Sequence, residues 1–139
     1  MATVIRAQIS EKNKYYIDKH RYYELKHFCL QYNAWKKEYV KCNDAIIFST
    51  RLDRTPSDNL PSDLTAKYAM QKAFYGERIA LIEQTAKVSD EFLYPYLLKA
   101  VTEGLSYTNL KARYDIPCGR DMYYDRYRKF FWLLSEARD

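Results

Sequence analysis

Glu103-Gly-Leu-Ser-Tyr-Thr-Asn-Leu-Lys-Ala-Arg-Tyr-Asp-Ile-Pro-Cys-Gly119, continuing as Arg120-Asp-Met-Tyr-Tyr-Asp-Arg-Tyr-Arg-Lys-Phe-Phe-Trp-Leu-Leu-Ser-Glu-Ala-Arg138, decides how this chain folds. Gly104 suits a helix end because it enters the left-handed region without strain. Ser106 then caps a short helix through Tyr114, with Leu105 and Leu110 turned inward. Asp115 tolerates a left-handed turn better than most non-glycine residues. Ile116-Pro117 supplies an apolar anchor on a rigid extended step, and Gly119 lets the chain turn again. A last helix, capped by Asp121, sets Tyr123, Tyr127, Phe130, Phe131 and Leu134 along one stripe and leaves Tyr124, Arg126 and Lys129 facing outward. A short helix, a tight turn and a longer helix with exposed basic residues fit a major groove.

Working outward, the rest also reads as helix. From Ser10 to Lys41 the chain has no Gly or Pro, and Ile17, Tyr22 or Tyr23, Leu25, Phe28, Cys29, Tyr32 and Trp35 recur at three- and four-residue spacings. This is one long helix, or two with a break near residues 31 to 33. Residues 43 to 62 read as a loop, with two prolines and a cluster of turn formers between Asp53 and Ser62; Ile46-Ile-Phe48 tucks onto the core or forms a short extended piece. Ser62 caps a helix to about Lys87 with Ala66, Met70, Ala73, Leu81 and Ile82 mostly inward. Gly76 inside it marks a close helix crossing. Ser89 caps a further segment, Asp90-Glu91 supply acidic charge at its start, and Pro95 begins or kinks the next helix. The expected architecture is all-α, five to six helices with a C-terminal helix-turn-helix. Residues 1–88 form an N-terminal helical region and 89–139 the helix-turn-helix, packed together as one unit.

Composition narrows the function classes. Of 139 residues, 47% are hydrophobic, enough for a real core, and 15 are Tyr, whose ring packs while its hydroxyl stays wet. The net charge of +5 fits nucleic acid or an acidic protein surface. Lys12 to Lys41 holds eight Lys/Arg against three acids, whereas Leu105 to Asp139 holds seven against five. The N-terminal helices are thus the more basic; they contribute phosphate contacts or a solvated face. Cys29, Cys42 and Cys118 cannot all pair, and Met1 to Arg6 contain no apolar run of signal or membrane length. Free thiols in a bacterial cytoplasm, with no membrane association, are expected. His20, His27, Cys29 and Cys42 match no zinc spacing, so neither metal nor cofactor is expected. No phosphate loop, nucleophile motif or supported carboxylate pair is present, and no enzyme activity is expected.

Gly104-Leu-Ser-Tyr107, Leu110 and Ile116-Pro-Cys-Gly119 resemble the helix-turn-helix in region four of sigma factors. Lys111 stands where that pattern usually has Ala, Asp115 where it has the turn glycine, and Asp121-Met122 where it has a Ser or Thr pair. Tyr123-Tyr-x-x-Tyr-Arg-Lys129 resembles phage late-gene regulators of the RinA and ArpU type, in which an aromatic pair followed by basic residues opens the recognition helix. The resemblance covers about a third of the chain. It implies a phage or prophage transcriptional regulator that binds specific double-stranded DNA. Arg120, Tyr124, Arg126, Arg128 and Lys129 then contact bases or phosphates, and Tyr107, Thr108, Asn109, Lys111 and Arg113 lie along the backbone. Phe130-Phe-Trp-Leu-Leu134 packs on the N-terminal helices or joins a homodimer interface, the arrangement that brings two reading helices to successive grooves. Two alternatives stand beside this: DNA recognition in packaging, as in small terminase subunits, and a non-enzymatic phage inhibitor of a bacterial protein.

Overall fold

A computed structural model describes residues 13–52 and 63–138. Within them the fold is all-α, as expected, with six helices: α1 (Lys19–Cys29), α2 (Tyr32–Leu52), α3 (Asp63–Ser89), α4 (Tyr94–Glu103), α5 (Tyr107–Tyr114) and α6 (Arg120–Arg138). Ser62, expected as a cap, and the turn formers from Asp53 onward lie outside the described residues. No described helix is long and apolar enough to cross a membrane. The chain divides into two compact units, and not at the expected 88/89 boundary: the first joins the chain up to Gln31 with Leu81 to Asp139, and the second is Tyr32–Ala80.

The first unit is built on aromatic packing. Asp18 caps α1 by accepting from the His20 amide at 2.9 Å, and α1 ends at Leu30 and Gln31, whose amides donate to Lys26 and Phe28 carbonyls at 3.2 Å each. The break therefore falls beside the expected position, with neither Gly nor Pro to cause it. α1 packs on α4 and α6, and α4 on α5. Leu25, Cys29, Ile82, Leu97, Leu110, Ile116, Tyr123, Phe130 and Leu134 are fully enclosed. All five residues of the anticipated α6 stripe are buried. The Phe130–Leu134 block faces this unit's own core, not a free surface: Phe131 meets Tyr22 of α1 edge-on at 5.2 Å, and Trp132 and Leu133 are half-buried. Arg21 ties α1 to the far end of α6, donating to the Ser135 hydroxyl and carbonyl at 3.0 Å each; that carbonyl is among the last four of the helix, which no later amide can reach.

The α3–α4 junction corrects the cap assignment. Ser89 does not start a segment; it is the last residue of α3 and its buried hydroxyl donates to the Thr85 carbonyl at 2.7 Å. Asp90 instead holds the turn before α4, accepting from the amides of Phe92 and Leu93 at 2.8 Å each, while Leu93, the N-cap of α4, makes no side-chain cap bond. Pro95 sits in the first turn of α4 without kinking it, where its missing N–H is not needed.

In the second unit, α2 continues to Leu52, so the loop expected from residue 43 does not begin there. No Gly or Pro interrupts residues 43–52, and Thr50 returns its hydroxyl to the Ile46 carbonyl at 2.8 Å. Ile46 is half-buried there, while Ile47 and Phe48 are exposed. α2 and α3 meet through side chains: Lys72 donates to the Asn43 side-chain oxygen at 2.9 Å, and the Cys42 thiol to the Gln71 oxygen at 3.6 Å. Gly76 marks the anticipated close crossing, since a Cβ there would lie 3.1 Å from the Tyr39 ring. The inward face of α3 differs from expectation. Ala66, Met70 and Ala73 are exposed, and of the five residues named only Ile82 is fully buried, with Leu81 half-buried.

Candidate nucleic-acid interface

The turn between α5 and α6 is pinned from several sides. Gly104 ends α4 at φ 72°, its amide donating to Ala100 at 2.8 Å. Ser106 caps α5 by accepting from the Asn109 amide at 3.2 Å. Asp115 ends α5 in the left-handed region at φ 49°, the conformation that Asx residues accept more readily than most others. Ile116 inserts into the core, and around Pro117 the Cys118 amide donates to the Ile116 carbonyl at 2.9 Å, a three-residue turn. At Gly119 the chain turns into α6 without a positive φ. Its carbonyl receives the Tyr123 amide at 3.0 Å, and Asp121 lies within the first turn of α6, not at its cap.

Two α5 side chains hold this turn's carbonyls. The Tyr107 hydroxyl donates to Cys118 at 2.6 Å, and the Lys111 ammonium donates to Ile116 at 3.3 Å while pairing with Asp115 at 3.2 Å. The bond and charge of Asp115 raise the Lys111 pKa above its ordinary value. Tyr107→Phe removes the Cys118 contact and little else. A loss of about 1 kcal/mol is expected, read as a shift of the chemical unfolding midpoint; an unchanged midpoint would show that the bond does not hold the turn.

The ten residues expected to contact DNA separate into two groups. Thr108, Asn109, Lys111, Arg113 and Arg120 are exposed. Thr108, Asn109 and Arg120 lie at the joined starts of α5 and α6, where the Arg120 guanidinium stacks 5.1 Å over the Tyr107 ring and donates to the Thr108 hydroxyl at 3.5 Å, and Lys111 and Arg113 lie in the last turn of α5. Lys129 is half-buried further along α6. The others serve the fold. Tyr107 is half-buried and holds the turn. Tyr124 is half-buried; its ring contacts Tyr123 and Tyr127 at centroid distances of 4.9 and 6.0 Å, and its hydroxyl accepts from the Tyr107 amide at 3.4 Å. Arg128 is half-buried, with its Nε enclosed and unpartnered among the described residues.

Arg126 departs furthest from its expected outward position. It donates to Asp90 at 2.9 Å and pairs with Asp125. Burial resists ionisation of Asp90, but hydrogen bonds from the Leu93 amide, Arg126 and the Phe92 amide outweigh it and hold that carboxyl below its usual value. Position 126 flanks the Tyr123–Tyr127–Phe130 stripe instead of opposing it, and only the fold brings residue 90 to that flank. The side opposite the stripe carries Asp121, Asp125, Arg128 and Trp132. Past the first turn it is half-covered, with Tyr15 packed 6.0 Å from Trp132. The exposed polar side chains of α6 are Arg120 and Asp121 in its first turn and Glu136 near its end.

The aromatic stripe behind this surface carries its own hydroxyl chemistry. The buried hydroxyls of Tyr22 and Tyr127 share a 3.0 Å hydrogen bond, and burial raises the pKa values of Tyr22, Tyr123 and Tyr127. The three cysteines are free; Cys29 and Cys42 are buried, and burial pushes the Cys29 thiol far up. No group of three or more His, Cys, Asp or Glu side chains suited to a metal ion occurs among the described residues. No protein-family model matches the chain, and no curated protein or solved structure shows significant similarity to it.

Proposed function

We propose that the chain is a non-enzymatic, sequence-specific DNA-binding protein, a transcriptional regulator of phage or prophage type acting in the host cytoplasm, with the α5–α6 pair as its reading element. The observation that carries this is the junction of the two helix starts. There Arg120, stacked on Tyr107 and bonded to Thr108, stands exposed at the beginning of the longer helix above a pinned turn. Helix starts favour phosphate through their free N–H groups and the positive end of the helix dipole. Arg matches guanine edges with two parallel donors. In this reading Arg120 contacts a base, Thr108, Asn109, Lys111 and Arg113 follow the backbone, and Lys129 adds a peripheral charge. Arg126 supports the fold and contacts no DNA.

A titration on random and phage-derived duplexes at two salt concentrations tests this. Affinity should fall with salt on a log–log slope of about 0.9 per phosphate contacted. Arg113→Ala should reduce the slope by about 1 and weaken all sequences alike, whereas Arg120→Ala should reduce discrimination between sequences. Salt-independent binding, or none, would defeat the reading.

A second reading, an inhibitor that captures a bacterial protein, draws on one feature of the same unit. Val88, 65% exposed, lines an open depression with Lys87, Glu91 and Tyr94, and Phe92, the residue after Glu91, is 85% exposed. Apolar side chains this bare around a concavity favour protein contact over phosphate. Loss of a partner on Phe92→Asp with DNA affinity intact would select this reading.

A further inference from the structure

α3 carries apolar residues on two opposite sides between Asp63 and Ala80. Tyr68, Tyr75 and Ile79 are half-buried on the side where α3 meets α2. Met70 and Phe74 stand on the other, 74% and 47% exposed, with the Arg78 guanidinium 3.5 Å over the Phe74 ring. A helix apolar on two sides is stable in water when both are covered. We propose that the bare side of α3 pairs antiparallel with the same side of a second copy, making the chain a homodimer through the Tyr32–Ala80 unit.

Charge placement selects both the partner and the direction. Lys67, Met70, Phe74 and Glu77 follow the three- and four-residue spacing of a coiled-coil seam, and all four are exposed. Among the described residues neither Lys67 nor Glu77 forms an ion pair. The pattern reads cation, apolar, apolar, anion. A two-fold axis midway between Met70 and Phe74 sets each Met70 against the partner copy's ring and each Lys67 against the partner copy's carboxylate. A parallel pair would instead oppose Lys67 to itself and Glu77 to itself, and like charges across a seam are unfavourable. A self-complementary patch is what an isologous dimer requires. Ala66 and Ala73, exposed along one edge of the seam, leave room for close approach.

Because the four residues are surface-exposed, their substitution leaves the fold of one chain intact, which circular dichroism melting verifies for each variant. Sedimentation equilibrium of the full chain, with no DNA present, then reads the association directly. The native chain should be a dimer. Met70→Glu with Phe74→Glu, which sets carboxylate against carboxylate across the seam, should be monomeric at every concentration. Lys67→Glu alone places two pairs of like charges in the seam and should weaken the dimer about tenfold or more, equivalent to about 1.4 kcal/mol. Adding Glu77→Lys to Lys67→Glu restores opposite charges in the antiparallel register and should recover the native association constant. A monomeric native chain, a dimer indifferent to Met70→Glu with Phe74→Glu, or a charge swap that fails to rescue would each overturn the proposal. DNA affinity plays no part in these readings, so the dimer and the DNA interface stand or fall separately.

Discussion

Phe131→Ala should lower the stability of the chain by about 3–5 kcal/mol, the usual cost of emptying an aromatic site in a packed core. The ring is 2% exposed and lies among Tyr22, Tyr127 and Phe130 at centroid distances of 5.2, 5.0 and 5.0 Å, edge-on or tilted to each. Such pairs add about 0.5–1.5 kcal/mol beyond simple area burial. Truncation also loosens Tyr22 and Tyr127, whose hydroxyls depend on one another at 3.0 Å. Small domains are stable by only about 5–15 kcal/mol in total, so the variant should lose a large share of its margin. Urea unfolding followed by circular dichroism measures this. A loss under about 1 kcal/mol, the range of surface changes, would mean that α1 does not close over α6.

Asp90→Ala should cost about 2–3 kcal/mol, a large effect for one carboxylate. Its two oxygens satisfy the amides of Phe92 and Leu93 at the α3–α4 turn and the Arg126 guanidinium on α6. With the Asp90 side chain 11% exposed and that of Arg126 30% exposed, truncation strands donors that water reaches poorly. Asp90→Asn keeps an acceptor for the turn but removes the charge, so it should fall between alanine and the native chain. The pH dependence has a fixed sign. The folded pKa is depressed, so the contribution is complete above the unfolded value of about 3.9 and fades as pH falls through the lower folded value. The Asn variant should accordingly lose less stability than the native protein on acidification below about pH 4. Equal acid sensitivity of the two would mean that Asp90 is not held ionised by these partners. Arg126→Ala should likewise lower stability, because Arg126 is committed to Asp90 and Asp125 within the fold.

What the chain specifies locally was legible without coordinates. Gly104, Ser106 and Asp115 signal their conformations by their own chemistry, and all three occupy them. The α6 stripe from Tyr123 to Leu134 announces itself by spacing and is buried as read. Such features depend on neighbours within a few residues, so backbone sterics and helical periodicity suffice to find them. Other features depend on which distant residue arrives alongside. Arg126 looks like a free cation until Asp90, 36 residues earlier, meets it. Met70 looks like core until α2 covers the opposite side of α3 instead. Periodicity marks a helix face as apolar or polar but carries no information on which element covers a flank or a second face. That choice is made by long-range packing, and here it joined the chain's two ends into one unit while leaving the outer side of α3 bare.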